Sequence, residues 1–305
     1  MDCVPRENRH ARRTALVLAA LAVLAPAGCR RPGAGRASGR GPLRIVSTAP
    51  SVTETLFALG LGPQVVGVST YCRYPPEAAR VAKAGTYLNP SIEPILAMKP
   101  DLVIIVKNPI QLAARIEALG LRVLEVDQDS IAGIHDAIRR IGRAAGAERE
   151  AEALSAGIRG ELEAIRRRAS KYPPRSAAFI VGRTPATLDG MVAAGDCYLD
   201  EIMRVAGGVN VFAGAAAPYP KVSLEEILAR DPEVVIDMGE MAETAGFTEE
   251  RRRSIAALWS RYPALKAVRG RRVFAVSSDI YVVPGPRVVE AAREFARMLH
   301  PEEFR

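Results

Sequence analysis

The sequence predicts an α/β protein of two similar lobes with mostly parallel sheets, joined by one long α-helix, with a ligand cleft between the lobes. Three observations carry this prediction. First, a segment is written twice: Ser91-Ile-Glu-Pro-Ile-Leu-Ala-Met-Lys-Pro-Asp-Leu-Val-Ile104 aligns with Ser223-Leu-Glu-Glu-Ile-Leu-Ala-Arg-Asp-Pro-Glu-Val-Val-Ile236, identical at eight of fourteen positions. The 132-residue offset exceeds any solenoid unit and suits a duplicated lobe. Second, strand and helix signals alternate on both sides of the chain's middle, the rhythm of βαβ units. Third, residues 130–171 break that rhythm, with apolar residues at helical spacing and no strand-like run.

Each element has its own signal. Arg44-Ile-Val-Ser-Thr48 reads as a short strand. Residues 51–59 read as a helix, opening on Ser51-Val-Thr-Glu54, a capping-box pattern, and closing at Gly60. A strand follows at 65–69 and at most a short helix at 75–82. The first copy of the repeat is a helix over 91–98, capped by Ser91 and stopped by Pro100. The stretch 101–106 that follows, apolar from Leu102, reads as a continuous buried strand. A helix at 111–119 ends at Gly120, and 122–126 is a strand. In 130–171, Ile131, Ile134, Ile138, Ile141, Leu154, Ile158, Leu162 and Ile165 form one helical stripe, read as a single helix that Gly142 and Gly146 allow to bend. The second lobe then gives a strand at 177–181, a helix at 198–206 ended by Gly207-Gly208, the repeat helix at 223–229 and its strand at 234–237. A helix at 248–260, a strand at 272–276 and a last helix at 286–299 complete it. A further likeness, Glu54-Thr-Leu-Phe-Ala-Leu-Gly-Leu-Gly62 beside Asp200-Glu-Ile-Met-Arg-Val-Ala-Gly-Gly208, supports the duplication. The expected division is 1–28 leader, 29–42 tether, 43–128 first lobe, 129–172 linking helix and 173–305 second lobe. A stiff helical connection predicts closure by a small rotation.

The net charge of +8 suggests a nucleic-acid partner, but its distribution excludes one. Residues 1–42 hold eight Arg and two acids, leaving +2 for the rest, so no folded face carries the basic excess. That leader has an Arg-rich start and an apolar run of about 12 residues, too short to span a membrane and right for an export signal. Pro26-Ala-Gly-Cys29 follows, similar to a bacterial lipoprotein cleavage box, with Cys29 as the lipidated residue; an ordinary signal cleavage nearby is the competing reading. The Gly-, Pro- and Arg-rich stretch after Cys29 reads as a disordered tether. The expected location is the periplasm or the envelope face, with a lipid anchor.

No nucleophile elbow, phosphate loop, dinucleotide fingerprint or His cluster occurs. His135 and His300 read as surface residues of helices. What recurs is Tyr in loops, at Tyr71, Tyr74, Tyr87, Tyr198, Tyr219 and Tyr281, where α/β sheets place ligand sites.

On Pro50-Ser-Val-Thr-Glu54, Val66-Gly-Val-Ser-Thr-Tyr-Cys-Arg-Tyr-Pro-Pro76, the two Ser-x-Glu repeats and Ala206-Gly-Gly-Val-Asn-Val-Phe212, the chain resembles a helical-backbone (class III) periplasmic substrate-binding protein of an ABC importer, of the cobalamin and ferric-siderophore type. Tyr74-Pro-Pro, Tyr219-Pro and Ser278-Asp279 are most similar to the cobalamin-binding branch, with Tyr87 and Tyr219 standing where that branch has Trp. The resemblance implies no enzymatic activity and no cofactor of its own. It implies a carried corrinoid or iron chelate, and a permease dimer with ATPase subunits as partner. A ferric siderophore or haem is the alternative cargo, and an exported α/β hydrolase the rival of another class. The implied ligand set is Tyr71, Cys72, Arg73, Tyr87, Arg183, Cys197, Tyr198, Tyr219, Asp279 and Tyr281. Arg73 and Arg183 are the candidates to pair an anionic ligand. Glu93 and Glu225, equivalent in the two repeats, are the implied contacts to Arg residues of the permease; as plain first-turn acids they also suit the helix dipole. Cys72 and Cys197 have three readings: free thiols, a cross-cleft disulfide, or soft ligands to a metal or to a corrinoid cobalt, with no firm metal site.

Overall fold

The computed structural model describes residues 41–107, 111–240 and 246–304. The leader, Cys29 and most of the tether lie outside the described residues. The first sheet is β1 (Ile45–Ser47), β2 (Val65–Val68), β3 (Leu102–Val106) and β4 (Val123–Val126), in the order β2-β1-β3-β4 and parallel throughout. Helices α1 (Pro50–Ala58), α2 (Ile92–Ala97) and α3 (Leu112–Glu117) make the crossovers. Both faces are covered, so the strands are apolar without alternation. Leu102 and Ile104 of β3 pack toward α1, while Val103 and Ile105 pack toward α2 and α3 with Ile95, Leu112 and Ile116.

The second sheet runs β10-β9-β5-β6-β8, with β5 (Arg175–Gly182), β6 (Met191–Ala193), β8 (Lys221–Val222), β9 (Val234–Asp237) and β10 (Val273–Ala275). The pairs β5–β9 and β9–β10 are parallel; β5–β6 and β6–β8 are antiparallel. β7 (Gly208–Asn210) pairs with the first residues of β5 on the edge whose far end holds β6. The sequence reading missed β6, β7 and β8, because two- and three-residue strands leave no periodicity to read. On one face lie α7 (Leu224–Arg230), α8 (Glu249–Ser260) and the short α9 (Lys266–Arg269), around Trp259, Phe212 and Ile227. On the other lie α6 (Tyr198–Val205) and α10 (Val288–Leu299).

Three expectations are corrected. The connecting segment is two helices, α4 (Ile131–Ala145) and α5 (Glu148–Ala169). Gly146 takes the left-handed conformation (φ 73°), its N–H meeting the Gly142 carbonyl, and the chain turns back. The helices then pack antiparallel, the His135 ring bonding the Ser155 hydroxyl at 2.8 Å. Gly142 lets them meet, since a methyl group there would overlap the Ala151 side chain. Second, Ser51 and Glu54 do not form a capping box: α1 begins after Ala49 with no side-chain cap. Ser51 donates to Gln128 (2.6 Å) and Glu54 reaches Arg287 (3.0 Å). The repeat's second copy does carry a capping box, between Ser223 and Glu226, whereas its first has Pro94 there and Ser91 makes no side-chain cap. Third, His135 and His300 are buried (8% and 1% exposed).

One apolar core runs from the inner face of the first sheet, through Ile134, Ile138 and Ile158 of the hairpin, to Phe179, Ile236 and Phe295 of the second. The two sheets are therefore not joined only by a tether of chain.

Candidate functional site

Four side chains converge where α4 and α6 begin. Tyr87 comes from the loop before α2, Asp129 from the loop between β4 and α4, Cys197 from the position that precedes α6, and Tyr219 from the turn before β8. Tyr87 and Tyr219 expose 41% and 43% of their surface, yet surrounding protein pushes both phenols up, and the Asp129 charge pushes both further. Asp129, exposed itself, is raised by the same enclosure and by Asp127. Cys197 is 7% exposed; burial raises its thiol, against bonds from the Leu199 and Asp200 amides and the Tyr219 hydroxyl. Glu201 of α6 accepts from the Ile131 N–H at 2.7 Å, which holds the two helix starts together.

A second cluster lies alongside. Arg287, just ahead of α10, pairs with Glu54 of α1 through Nε (3.0 Å) and Nη2, and with Asp279 through Nη1 (2.9 Å). Its guanidinium lies 4.1 Å over the Tyr74 ring. Burial pushes the Glu54 carboxyl up to about 7 against the pull of Arg287; the two carboxylates hold Arg287 firmly protonated. Tyr198 joins the clusters, donating to the Tyr281 carbonyl at 2.7 Å.

The ten residues expected to line a ligand divide. Tyr87, Tyr219 and Cys197 meet at one wall; Tyr71 (54% exposed) and Arg73 are open on the loop after β2. Asp279 is tied to Arg287. The other four are buried. Tyr281 stacks on Phe295 (5.6 Å) and Phe179 (5.8 Å) in the core, and Tyr198 is buried beneath the wall. Arg183 is enclosed: it pairs with Asp237 at 2.9 Å, and its Nη1 donates to the carbonyls of Thr184, Pro185 and Thr187, shaping that loop. The Cys72 thiol faces inward to Thr53 (3.1 Å) and Ser69 (3.3 Å). Cys72 and Cys197 are free, which removes the disulfide reading, and no group of three metal-binding side chains occurs among the described residues. Glu93 and Glu225 are both exposed. Its own amide in the first turn of α7 and the Ser223 hydroxyl hold Glu225 below the usual carboxylate range.

Sequence reasoning missed Asp129 and Arg287. Neither sits in a motif, and Glu54 carried a local explanation that hid its distant partner. A hollow of about 470 Å³ beside α10, lined by Ser277, Ser278, Glu290, Arg293 and Arg297, lies apart from Tyr87 and Tyr219.

The family model for periplasmic binding proteins matches residues 45–280. The vitamin B12-binding protein of Vibrio cholerae is 29% identical over 259 residues, covering 84% of this chain and 88% of that protein. The ABC transporter substrate-binding lipoprotein YvrC of Bacillus subtilis is 30% identical, covering 87% and 82%. Among solved structures, the periplasmic vitamin B12-binding protein BtuF of Vibrio cholerae superposes with a TM-score of 0.70 at 27% identity, over 84% of this chain and 96% of that one. The periplasmic haem-binding protein RhuT of Roseiflexus sp. RS-1, in apo form, gives 0.71 at 28%, over 86% and 99%.

Proposed function

Because the chain belongs to the periplasmic binding protein family, as the substrate-binding protein of an ABC importer for vitamin B12 or for haem or siderophores, we propose that its own cargo is a corrinoid, held against the tyrosine wall. The chain binds and hands on its cargo and is not an enzyme. The observation that supports a corrinoid is the Tyr87–Asp129–Tyr219 wall. Two flat rings suit a macrocycle face. A carboxylate and two phenol oxygens suit a periphery of amide donors, whereas the carboxylates of a haem would be repelled by Asp129. Haem is the second reading, favoured by exposed Arg73 as a partner for an acidic edge. The functional division proposed is 43–128 for the first lobe, 129–172 for the connection and 173–305 for the second lobe.

Calorimetry with cyanocobalamin, cobinamide, haemin and a ferric siderophore, together with an absorption spectrum of material that co-purifies, tests this. Corrinoid binding is expected, weakened at least 10-fold by Tyr87→Ala or Tyr219→Ala, a loss of about 1.4 kcal/mol. Binding of haemin and of neither corrinoid selects the second reading.

Two further assignments belong here. Glu93 and Glu225 are the permease contacts, and Cys29 carries a lipid anchor that keeps the protein at the envelope face. No helix among the described residues is long and apolar enough to cross a membrane.

A further inference from the structure

Arg287 stands where the two halves of the molecule meet. Its guanidinium has three neighbours: Glu54 takes two donors, Asp279 takes a third, and the Tyr74 ring covers one flat face. Glu54 and Tyr74 belong to α1 and the loop after β2; Asp279 and Arg287 belong to the segment between β10 and α10. Both members of the ion pair are nearly enclosed, the Glu54 side chain 3% and that of Arg287 11% exposed. Close approach continues beside them: a methyl group at Gly285 would stand 3.3 Å from the Ser51 Cα and 3.4 Å from the Glu54 carboxylate. Ser51 in turn bonds Gln128, at the entry to the helical hairpin.

Only Arg can satisfy this set, because a planar fork can bridge two carboxylates while its face stacks on a ring; the single ammonium of Lys cannot. The fork also depends on position. Glu54 and Asp279 approach it from different halves, so a shift of one half against the other breaks one ion pair and uncovers the ring. Tyr74 is 44% exposed although Arg287 backs it, so its other side is open to a ligand.

We infer that Arg287 is a positioning residue for cargo capture, clamping α1 to the segment before α10 and holding the Tyr74 ring in a fixed orientation as a wall of the cleft. The inference rests on the reading of the cleft given under "Proposed function". A ring already immobilised loses less conformational freedom when a macrocycle stacks on it, so the clamp raises affinity without touching the cargo.

Two measurements test it, one of them without cargo. In the ligand-free protein, hydrogen exchange of residues 51–54 and 285–288 is expected to quicken at least 10-fold in Arg287→Met and in Glu54→Gln, while β3 and β9 keep their protection. Unchanged exchange at 51–54 overturns the clamp. Binding of cyanocobinamide and of haemin is then measured in a double-mutant cycle with Tyr74→Leu. Arg287→Met is expected to weaken the probe that binds by at least 10-fold when Tyr74 is present and by less than 2-fold when it is Leu. Equal losses in both backgrounds mean that Arg287 does not act through Tyr74, and overturn the positioning role. Arg287→Lys keeps the charge should the Met variant fail to fold, and is expected to show the same coupling at about 3-fold. If the wild-type protein takes up neither probe, the cleft reading falls while the exchange measurement still decides the clamp.

Discussion

Asp237 is the most heavily bonded acid of the second sheet. Arg183 donates to it at 2.9 Å, Trp259 at 2.7 Å and the Gly239 amide at 2.7 Å, all away from water. Removing one partner of such a pair leaves a buried charge without compensation. Asp237→Ala is expected to lower stability by about 3–5 kcal/mol in urea unfolding, and to release the Arg183-held loop after β5. The two buried histidines set a pH dependence. Burial lowers both below the ordinary imidazole value, so the unfolded chain binds more protons as the pH falls below about 6.5. Their contribution is present above that pH and lost beneath it. Between pH 7.5 and 5.5 this contribution is read as a difference: the urea midpoint of His135→Gln/His300→Gln is expected to gain on that of the wild type as the pH falls, while Glu54, raised by burial, acts in the opposite direction in both proteins. At this scale the sequence misled. A histidine in an amphipathic helix reads as surface, and only its partner across the hairpin, Ser155 for His135, buries it.

The helical hairpin makes the element-scale lesson concrete. Five glycines lie in its two helices or the turn between them and do different things; at Gly133 a methyl group would press on the Asp127 carbonyl. Gly146 supplies a left-handed turn, Gly142 supplies contact with Ala151, and Gly157 and Gly160 have open space around the position of a side chain. Gly142→Ala is therefore expected to cost about 1–3 kcal/mol by overpacking, despite the helical preference of Ala. Gly157→Ala and Gly160→Ala are expected to stabilise by about 0.5–1 kcal/mol, measured by thermal unfolding. The apolar stripe of 130–171 was legible as helix; its break was not, because a period of 3.6 continues in register through a turn of two residues. The short strands β6, β7 and β8 of the second sheet were illegible for a different reason: Asn210 of β7, which bonds the Ala194 and Gly195 carbonyls, and the other short-strand residues are placed by partners distant in sequence.

Across the whole molecule, a single core threads both sheets and the hairpin, so the halves resist independent opening. That suits cargo capture with little movement. The docking assignment is tested here: Glu93→Lys with Glu225→Lys is expected to abolish uptake into cells while calorimetric affinity stays within 2-fold. Persisting uptake removes the role. Lipid attachment is checked by labelling with a fatty acid, expected to vanish in Cys29→Ser.

The sequence by itself determined the βα order and the duplication with its paired Ser-x-Glu helices, because each is written in local periodicity or in adjacent residues. Strand pairing, the folding back of the hairpin, the burial of Cys72, Arg183 and the histidines, and the meeting of Tyr87, Asp129 and Tyr219 were decided by tertiary structure. So was the bridge of Glu54 to Arg287, 233 positions away. A side chain's own neighbourhood in sequence fixes its backbone conformation, but its solvent exposure and its charge partners depend on which distant element the core brings beside it.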